Sequence, residues 1–330
     1  MLLFTIVLIC GVIFVNGWTD APNAITASVS TGALKMRYAV ILAAIFNFLG
    51  ALVMGIVNTS VLRSVGDITM MIGAGESSVA VLCSALMSII AWAVIAWYFG
   101  IPTSESHALI SGILGAAMAA GAEITPEALK ALKLAAIGLV LSLPIGGVLG
   151  YAAGKVTSTI SLNFKKNKGF FIYGQRVGAA AMSFMHGAQD SQKFAGVFIA
   201  ALCMTNTALM PSEAPLWLVL LCAVIIALGT SAGGYRIIKK VGMDTVELTP
   251  EKGLAADISA VSCMLAASLG GIPVSTTHTA TASVIGAGVS SYPRKLNKRS
   301  IKEMLLAWLL TFPCCGIISY ATAKIFLLFL

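Results

Sequence analysis

The sequence predicts an all-α polytopic membrane protein built from two inverted-topology repeats of about five membrane segments each, with two helical hairpins broken at GIPxSxxH. Three observations carry that expectation. Hydrophobic residues make up 58% of the 330 residues and charged residues 10%, with a mean hydropathy of +0.94; a soluble domain carries about 25% charged residues. The octapeptide GIPTSESH at Gly100–His107 returns as GIPVSTTH at Gly271–His278, 171 positions later, and GWTD ending at Asp20 returns as GAQD ending at Asp190, 170 positions later. A period that long is no solenoid; it reads as two copies of one half-molecule. Finally, Lys and Arg cluster at Lys35–Arg37, Lys155–Arg176, Arg236–Lys252 and Arg294–Lys302, while the other connections, with Arg63, Asp67 and Glu76, with Glu123, Glu127, Lys130 and Lys133, and with Glu213, are neutral or acidic.

Apolar stretches near the ~20 residues that span a bilayer run over 1–16, 38–59, 79–99, 104–121, 131–154, 177–205, 214–235, 254–270, 276–291 and 303–329. The first does not read as a signal peptide: it lacks a basic n-region and a small-residue cleavage site, and it runs directly into the Asp20 motif. Placing the four basic clusters in the cytoplasm threads the ten segments through a cell membrane with both termini outside. Five segments per half is an odd number, so the second half must enter the membrane in the opposite sense. The expected repeats are 1–160 and 161–330, joined through a basic linker at Thr157–Gln175 whose Lys165, Lys166 and Lys168 face cytoplasmic headgroups. Orientation thus accounts for the net charge of +8, and no nucleic-acid partner is expected. All seven cysteines lie in apolar segments without a CxxC, so neither a disulfide framework nor a zinc site is predicted, and no cofactor.

Each tip, 100–107 and 271–278, follows an apolar arm and precedes a Gly/Ala-rich one. Pro102 and Pro273 break the helix, because proline lacks the N–H and restricts the residue before it. The two arms either cross the bilayer separately or form a re-entrant hairpin whose tip stops at mid-depth. In the second case the tips converge from opposite sides, and irregular backbone there must be buried in protein or line a wet cavity. Paired halves with Gly/Pro-interrupted segments at matching places point to a transporter's binding site. The hydroxyls of Thr103, Ser104 and Ser106, and of Ser275, Thr276 and Thr277, fall at the start of each second arm. Free N–H groups and the helix dipole favour an anion there. Ser and Thr also cap helices, but two convergent copies favour the anion.

Asp20 in NGWTDAPNA and Asp190 in HGAQDSQK sit between apolar stretches. A charge at the bilayer centre costs at least about 2.5–3.5 kcal/mol, so such carboxylates usually mark ion or proton pathways. Pro22 and the Gly17–Asn23 stretch predict an unwound segment whose carbonyls, with Asp20, Asp190 and Asn23, suit Na+. An anion beside two aspartates is repelled unless cations intervene. Lys193, three residues after Asp190 and hence on a neighbouring helix position, supplies one charge, and Na+ supplies the rest. This balance makes co-transport of anion and cation the natural mechanism. His107 and His278 occupy matching places and either relay protons, bond the anion or hold the tips; His186 precedes Asp190. Glu105 has Thr276 as its repeat mate and therefore no acidic counterpart.

At these residues the chain resembles the inorganic phosphate transporter (PiT) family. Gly17–Ala24 matches the family's G-x-x-D-x-x-N-A, His186–Lys193 its H-G-A-N-D-G-Q-K, and Pro102–His107 and Pro273–His278 its PTSSSH and PVSTTH tips. The resemblance implies inverted repeats, two hairpins, phosphate uptake coupled to Na+ or H+, and a homodimer with a scaffold and a moving transport domain. It places phosphate and cation ligands on Asp20, Asn23, Ser104, Asp190, Gln192, Ser275 and Thr276. Gln189 stands where the family has Asn, and Glu105 where it has a small hydroxyl residue. The function expected is a secondary importer of inorganic phosphate, coupled to Na+, working by alternating access and not an enzyme. Phosphate is expected at Thr103, Ser104, Ser106, Gln192, Lys193, Ser275, Thr276 and Thr277, and sodium at Asp20, Asn23 and Asp190 with Ser104 and Ser275. An H+-coupled phosphate permease or a sulfate permease is the alternative. An aspartyl protease on Asp20 and Asp190, or a passive anion channel, is more remote.

Overall fold

A computed structural model of the chain describes residues 1–163, 168–206, 214–290 and 296–329. The first half comprises α1 (Leu2–Thr19), a 3-10 turn (Ala21–Ile25), α2 (Thr26–Ser30), α3 (Met36–Val57), α4 (Ser60–Met70), α5 (Glu76–Tyr98), α6 (Glu105–Ala120) and α7 (Pro126–Asn163). The second comprises α8 (Lys168–Asn206), α9 (Leu216–Ser231), α10 (Tyr235–Ile238) with a π-helical turn (Lys239–Met243), α11 (Pro250–Leu269), α12 (Thr276–Val289) and α13 (Lys298–Leu328). Each of the ten predicted segments is helical over most of its described residues. The order long–long–short–hairpin–long occurs twice, with α4 and α10 as the short members.

Two expectations need correction. The stretch around Arg63 and Asp67 read as a polar connection but is α4, which buries Val61, Leu62, Val65 and Ile68 on one face and turns Arg63 outward. The long basic linker is mostly helix, because α7 runs to Asn163 and α8 starts at Lys168. Lys165, Lys166 and Arg294 lie outside the described residues.

Among the described residues, six helical stretches (2–30, 36–57, 76–98, 126–162, 250–269 and 298–328) are long and apolar enough to cross a membrane. The pair Leu216–Ser231 and Tyr235–Met243, bent by 68°, makes a seventh if counted as one span. Polar Asp190, Gln192 and Lys193 interrupt the middle of α8, which is not among them. With 16 and 14 residues, α6 and α12 extend about 24 and 21 Å at 1.5 Å per residue. The hydrocarbon core is about 30 Å thick. Neither crosses it alone, which favours the re-entrant arrangement over separate crossings.

The halves interlock. Helix α7 packs on α11 and α12, and α13 packs on α5 and α6, so each half's last helix covers the other half's hairpin. Glycines let these crossings close: a Cβ on Gly286 would lie 2.1 Å from the Gly147 carbonyl oxygen, and one on Gly115 would lie 2.2 Å from that of Gly316. Pro144 in α7 and Pro313 in α13 stand three residues before those two carbonyls. In lipid, where apolar side chains gain little by leaving one apolar medium for another, close packing of small residues supplies much of the association. Val140, Val148, Leu309 and Ile317 face outward, whereas Lys193 is among the largest fully buried side chains. An apolar exterior around a polar centre is the pattern of a protein whose ionisable groups face the bundle interior.

Candidate functional site

The GIPxS sequence dictates both tips. Gly100 and Gly271 have φ of 67° and 65°, left-handed values that side chains other than glycine rarely adopt. Residues 101–104 and 272–275 then run non-helically through the prolines. Ser104 Oγ accepts from the His107 backbone N–H at 3.2 Å, and Ser275 Oγ accepts from that of His278 at 3.1 Å. Both serines therefore cap the helices that follow, each satisfying an otherwise free N–H.

The tips meet. Ser106 Oγ donates to the Val274 carbonyl at 3.1 Å, and Thr277 Oγ1 lies 2.9 Å from the Thr103 carbonyl oxygen. Behind them the His107 and His278 rings meet at 4.6 Å with a 40° tilt, His278 meets Trp308 at 4.3 Å with a 47° tilt, and the Trp308 indole donates to the Pro102 carbonyl at 2.8 Å. The histidines join the tips to each other; no hydrogen bond described links them to Asp20 or Asp190. His107 Nδ1 sits 2.7 Å from Ser104 Oγ.

Asp20 and Asp190 lie in front of the tips, 2% and 1% exposed. The helix crossings explain the glycine three residues before each. A Cβ on Gly17 would come within 2.3 Å of the Ile226 carbonyl oxygen, and one on Gly187 within 2.1 Å of that of Asn47. The unwound segment predicted at Gly17–Asn23 is largely wound. Helix α1 continues through Thr19, the Asp20 N–H still reaches the Asn16 carbonyl at 2.9 Å, and the chain tightens into the 3-10 turn with Asn23 N–H on the Asp20 carbonyl at 3.0 Å. Proline at 22 is accommodated because the first turn of a helix needs no N–H there.

Side chains from both halves converge on the two carboxylates. Thr276 Oγ1 lies 3.1 Å from Asp20 Oδ2 and 3.4 Å from Asp190 Oδ2, a single hydroxyl between two acids. Thr277 Oγ1 donates to Asp20 Oδ1, and Asn23 Nδ2 donates to the same oxygen at 2.8 Å. Asp190 receives Asn16 Nδ2 at 2.9 Å and Lys193 Nζ at 2.6 Å, with His186 Nε2 3.4 Å away. Lys193 also donates to Ser106 Oγ at 2.7 Å and to the Val274 carbonyl at 2.8 Å, so its three protons clamp α8 to both tips. Glu105, 3% exposed, meets the Thr19 hydroxyl through Oε1. Ligating atoms of Asp20, His186 and Asp190 lie within 4.8 Å of one another, a spacing that suits a shared cation.

Several buried acceptors here have no donor: Asn16 Oδ1, Asn23 Oδ1 and Glu105 Oε2. The asparagine orientations are fixed, since in each case Nδ2 faces a carboxylate. A buried oxygen without a partner costs about 1–3 kcal/mol, and a hard cation is the species such oxygens satisfy.

Of the predicted residues, Asp20, Asn23, Asp190, Lys193, Ser106, Glu105, Thr276 and Thr277 come together directly. Thr103 takes part through its carbonyl, and Ser104 and Ser275 serve as caps. Gln192 is buried with both amide atoms unpartnered. Gln189, standing where the resembled motif has Asn, donates to Ser268 Oγ at 2.8 Å. Sequence reasoning missed Asn16, Thr19 and Asn47, the last bonded to His186 Nδ1 at 3.0 Å. A signal existed for Asn16: a lone amide in an apolar run, four residues before Asp20 and 170 before His186.

The sequence profile of the phosphate transporter family (PHO4) matches the chain twice, over residues 16–169 and 157–319. A "Probable low-affinity inorganic phosphate transporter" of Bacillus subtilis (strain 168) is 37% identical over 317 residues, covering 95% of this chain and 94% of its own. A protein of the same description from Rhizobium meliloti (strain 1021) is 35% identical over 311 residues, covering 93% and 90%. A solved structure titled "The sodium-dependent phosphate transporter" superposes with a TM-score of 0.81 at 22% identity, over 100% of this chain and 99% of that one, and so shares the fold. The chain belongs to the phosphate transporter family: it is a membrane phosphate transporter and not an enzyme.

Proposed function

We propose that the protein imports inorganic phosphate together with Na+ by alternating access, with the two hairpins as gates. The observation that carries this reading is the meeting of both tips on one buried centre that holds anion donors and cation acceptors together. Ser106, Thr276, Thr277 and Lys193 supply hydroxyl and ammonium donors for phosphate, with the Gln192 amide free to join them. Asp20, Asp190 and the unpartnered Asn23 Oδ1 supply oxygen ligands for Na+.

Thr276, Thr277 and Lys193 bond the aspartates. Sodium between Asp20 and Asp190 releases Thr276 and Thr277 to face a phosphate, and the phosphate in turn offsets the sodium charge. Each ion thus improves the site for the other, the reciprocal coupling that symport requires. Ser104 and Ser275 keep their caps and can offer further oxygens as the tips move. The reading extends to a homodimer in the cell membrane, with repeats 1–160 and 161–330 inverted and both termini outside, supported by the basic connections of the sequence.

Uptake of radiolabelled phosphate into proteoliposomes tests it. Expected is stimulation by an inward Na+ gradient that Asp20→Asn and Asp190→Asn both abolish. Uptake that follows a pH gradient and ignores Na+ would move the coupling to protons. Sulfate uptake without phosphate uptake would overturn the substrate.

A further inference from the structure

Glu105 and Thr276 are repeat mates, each the first residue of the helix after its tip. Thr276 places a hydroxyl between Asp20 and Asp190. Glu105 places a carboxyl at the corresponding position of the other tip. There it meets Thr19, the neighbour of Asp20, and lies within electrostatic reach of both aspartates.

Charge and hydrogen bonding both leave this corner short of a positive partner. Lys193 is the one lysine or arginine bonded at the centre among the described residues, and its three donors go to Asp190, Ser106 and the Val274 carbonyl. The Asn16 side chain lies close enough to interact with the Glu105 carboxyl, yet among the described residues Glu105 Oε2 has no donor in hydrogen-bonding geometry. Neither does Asn16 Oδ1, on a residue with no exposed surface whose orientation is fixed by Asp190. Two unpartnered acceptor oxygens, one from an acid and one from an amide, are poor company for an anion. They are suitable ligands for a small hard cation.

We infer that Glu105 Oε2, Asn16 Oδ1 and the Thr19 hydroxyl form an additional Na+ site, distinct from the one between Asp20 and Asp190, so that Glu105 adds one sodium ion to each transport cycle. This rests on the sodium-coupled reading above. A chain with a small hydroxyl residue at this place lacks the carboxylate and has no need of that ion. The site also gives Glu105 a function that its departure from the duplicated hydroxyl pattern otherwise lacks: it raises the driving force per phosphate without altering the paired aspartates.

The test is the ratio of radiolabelled sodium to radiolabelled phosphate entering proteoliposomes, measured for the wild type, Glu105→Ser and Glu105→Gln. The glutamine variant keeps the shape and the contact with Thr19, so it guards against misfolding of the serine variant. Expected is one fewer sodium ion per phosphate in both variants, and one fewer Na+ bound when the purified proteins are titrated by calorimetry. An unchanged ratio and unchanged binding, with a sodium-driven wild type, would overturn the additional site alone. A wild type that neither binds nor moves sodium would overturn this site and the sodium-coupled reading together.

Discussion

The two halves present the same carboxylate in different company. Three residues after Asp20 comes Asn23, and three residues after Asp190 comes Lys193. On a helix that spacing brings the later side chain beside the earlier, and both do contact their aspartates, at 2.8 and 2.6 Å. One contact is an amide and the other an ammonium. The second half therefore balances its own charge, while among the described residues the first half gives Asp20 no lysine or arginine partner and adds Glu105. The duplication supplied two matching frames, and their divergence put the shortage of positive charge on one side. In the sodium-coupled reading proposed above, that asymmetry, more than either aspartate alone, is what the cation offsets.

The backbone differs in the same sense. Pro22 ends α1 just past Asp20 and turns the chain into a 3-10 helix, whereas α8 runs unbroken through Asp190 because Ser191, Gln192 and Lys193 all permit helix. Lys193 needs that continuity to reach its aspartate and both tips at once.

Several substitutions test how far the two halves differ. Lys193→Met leaves Asp190 buried without its ammonium partner and is expected to cost about 3–5 kcal/mol, read as a fall in thermal stability in detergent. Asn23→Ala, on the equivalent position, removes a neutral donor to a charged group and is expected to cost about 1.5–3 kcal/mol. Lys193→Asn makes the second half resemble the first. Its stability should rise more steeply with Na+ concentration than that of the wild type, since a ligand stabilises the state that binds it.

The helix crossings should behave alike in both halves. Valine at Gly17 or Gly187 meets carbonyl backbone, which cannot step aside, and each is expected to cost about 1–3 kcal/mol or more. A large effect at one and none at the other would refute the shared packing. The smallest expected effect is at the caps: Ser104→Ala and Ser275→Ala each remove one acceptor from a helix N-terminus, worth about 1 kcal/mol.

Much of this was legible in the sequence. The apolar segments and the GIP breaks located the hairpins, because glycine at positive φ and proline without an N–H leave little choice of backbone. The paired aspartates stood out against apolar surroundings. Helix α4 did not, because Arg63 and Asp67 gave it the look of a loop; its buried face at 61, 62, 65 and 68 was the readable clue. Asn16 and Thr19 were hidden for another reason. They act on other helices, Asn16 on Asp190 of the other half and Thr19 on Glu105 of its own, and spacing along a single helix carries no information about a partner 174 or 86 residues away. The wound state of Gly17–Asn23 was also out of reach, since Pro22 is equally compatible with an open loop and with the first turn of a 3-10 helix.

Calorimetric titration of the purified protein with Na+, in the wild type and in Asp20→Asn, tests the central claim most directly. The account predicts saturable sodium binding in the wild type and, in the variant, loss of the ion held between Asp20 and Asp190, leaving at most the separate ion at Glu105. Equal sodium binding in both proteins would contradict it.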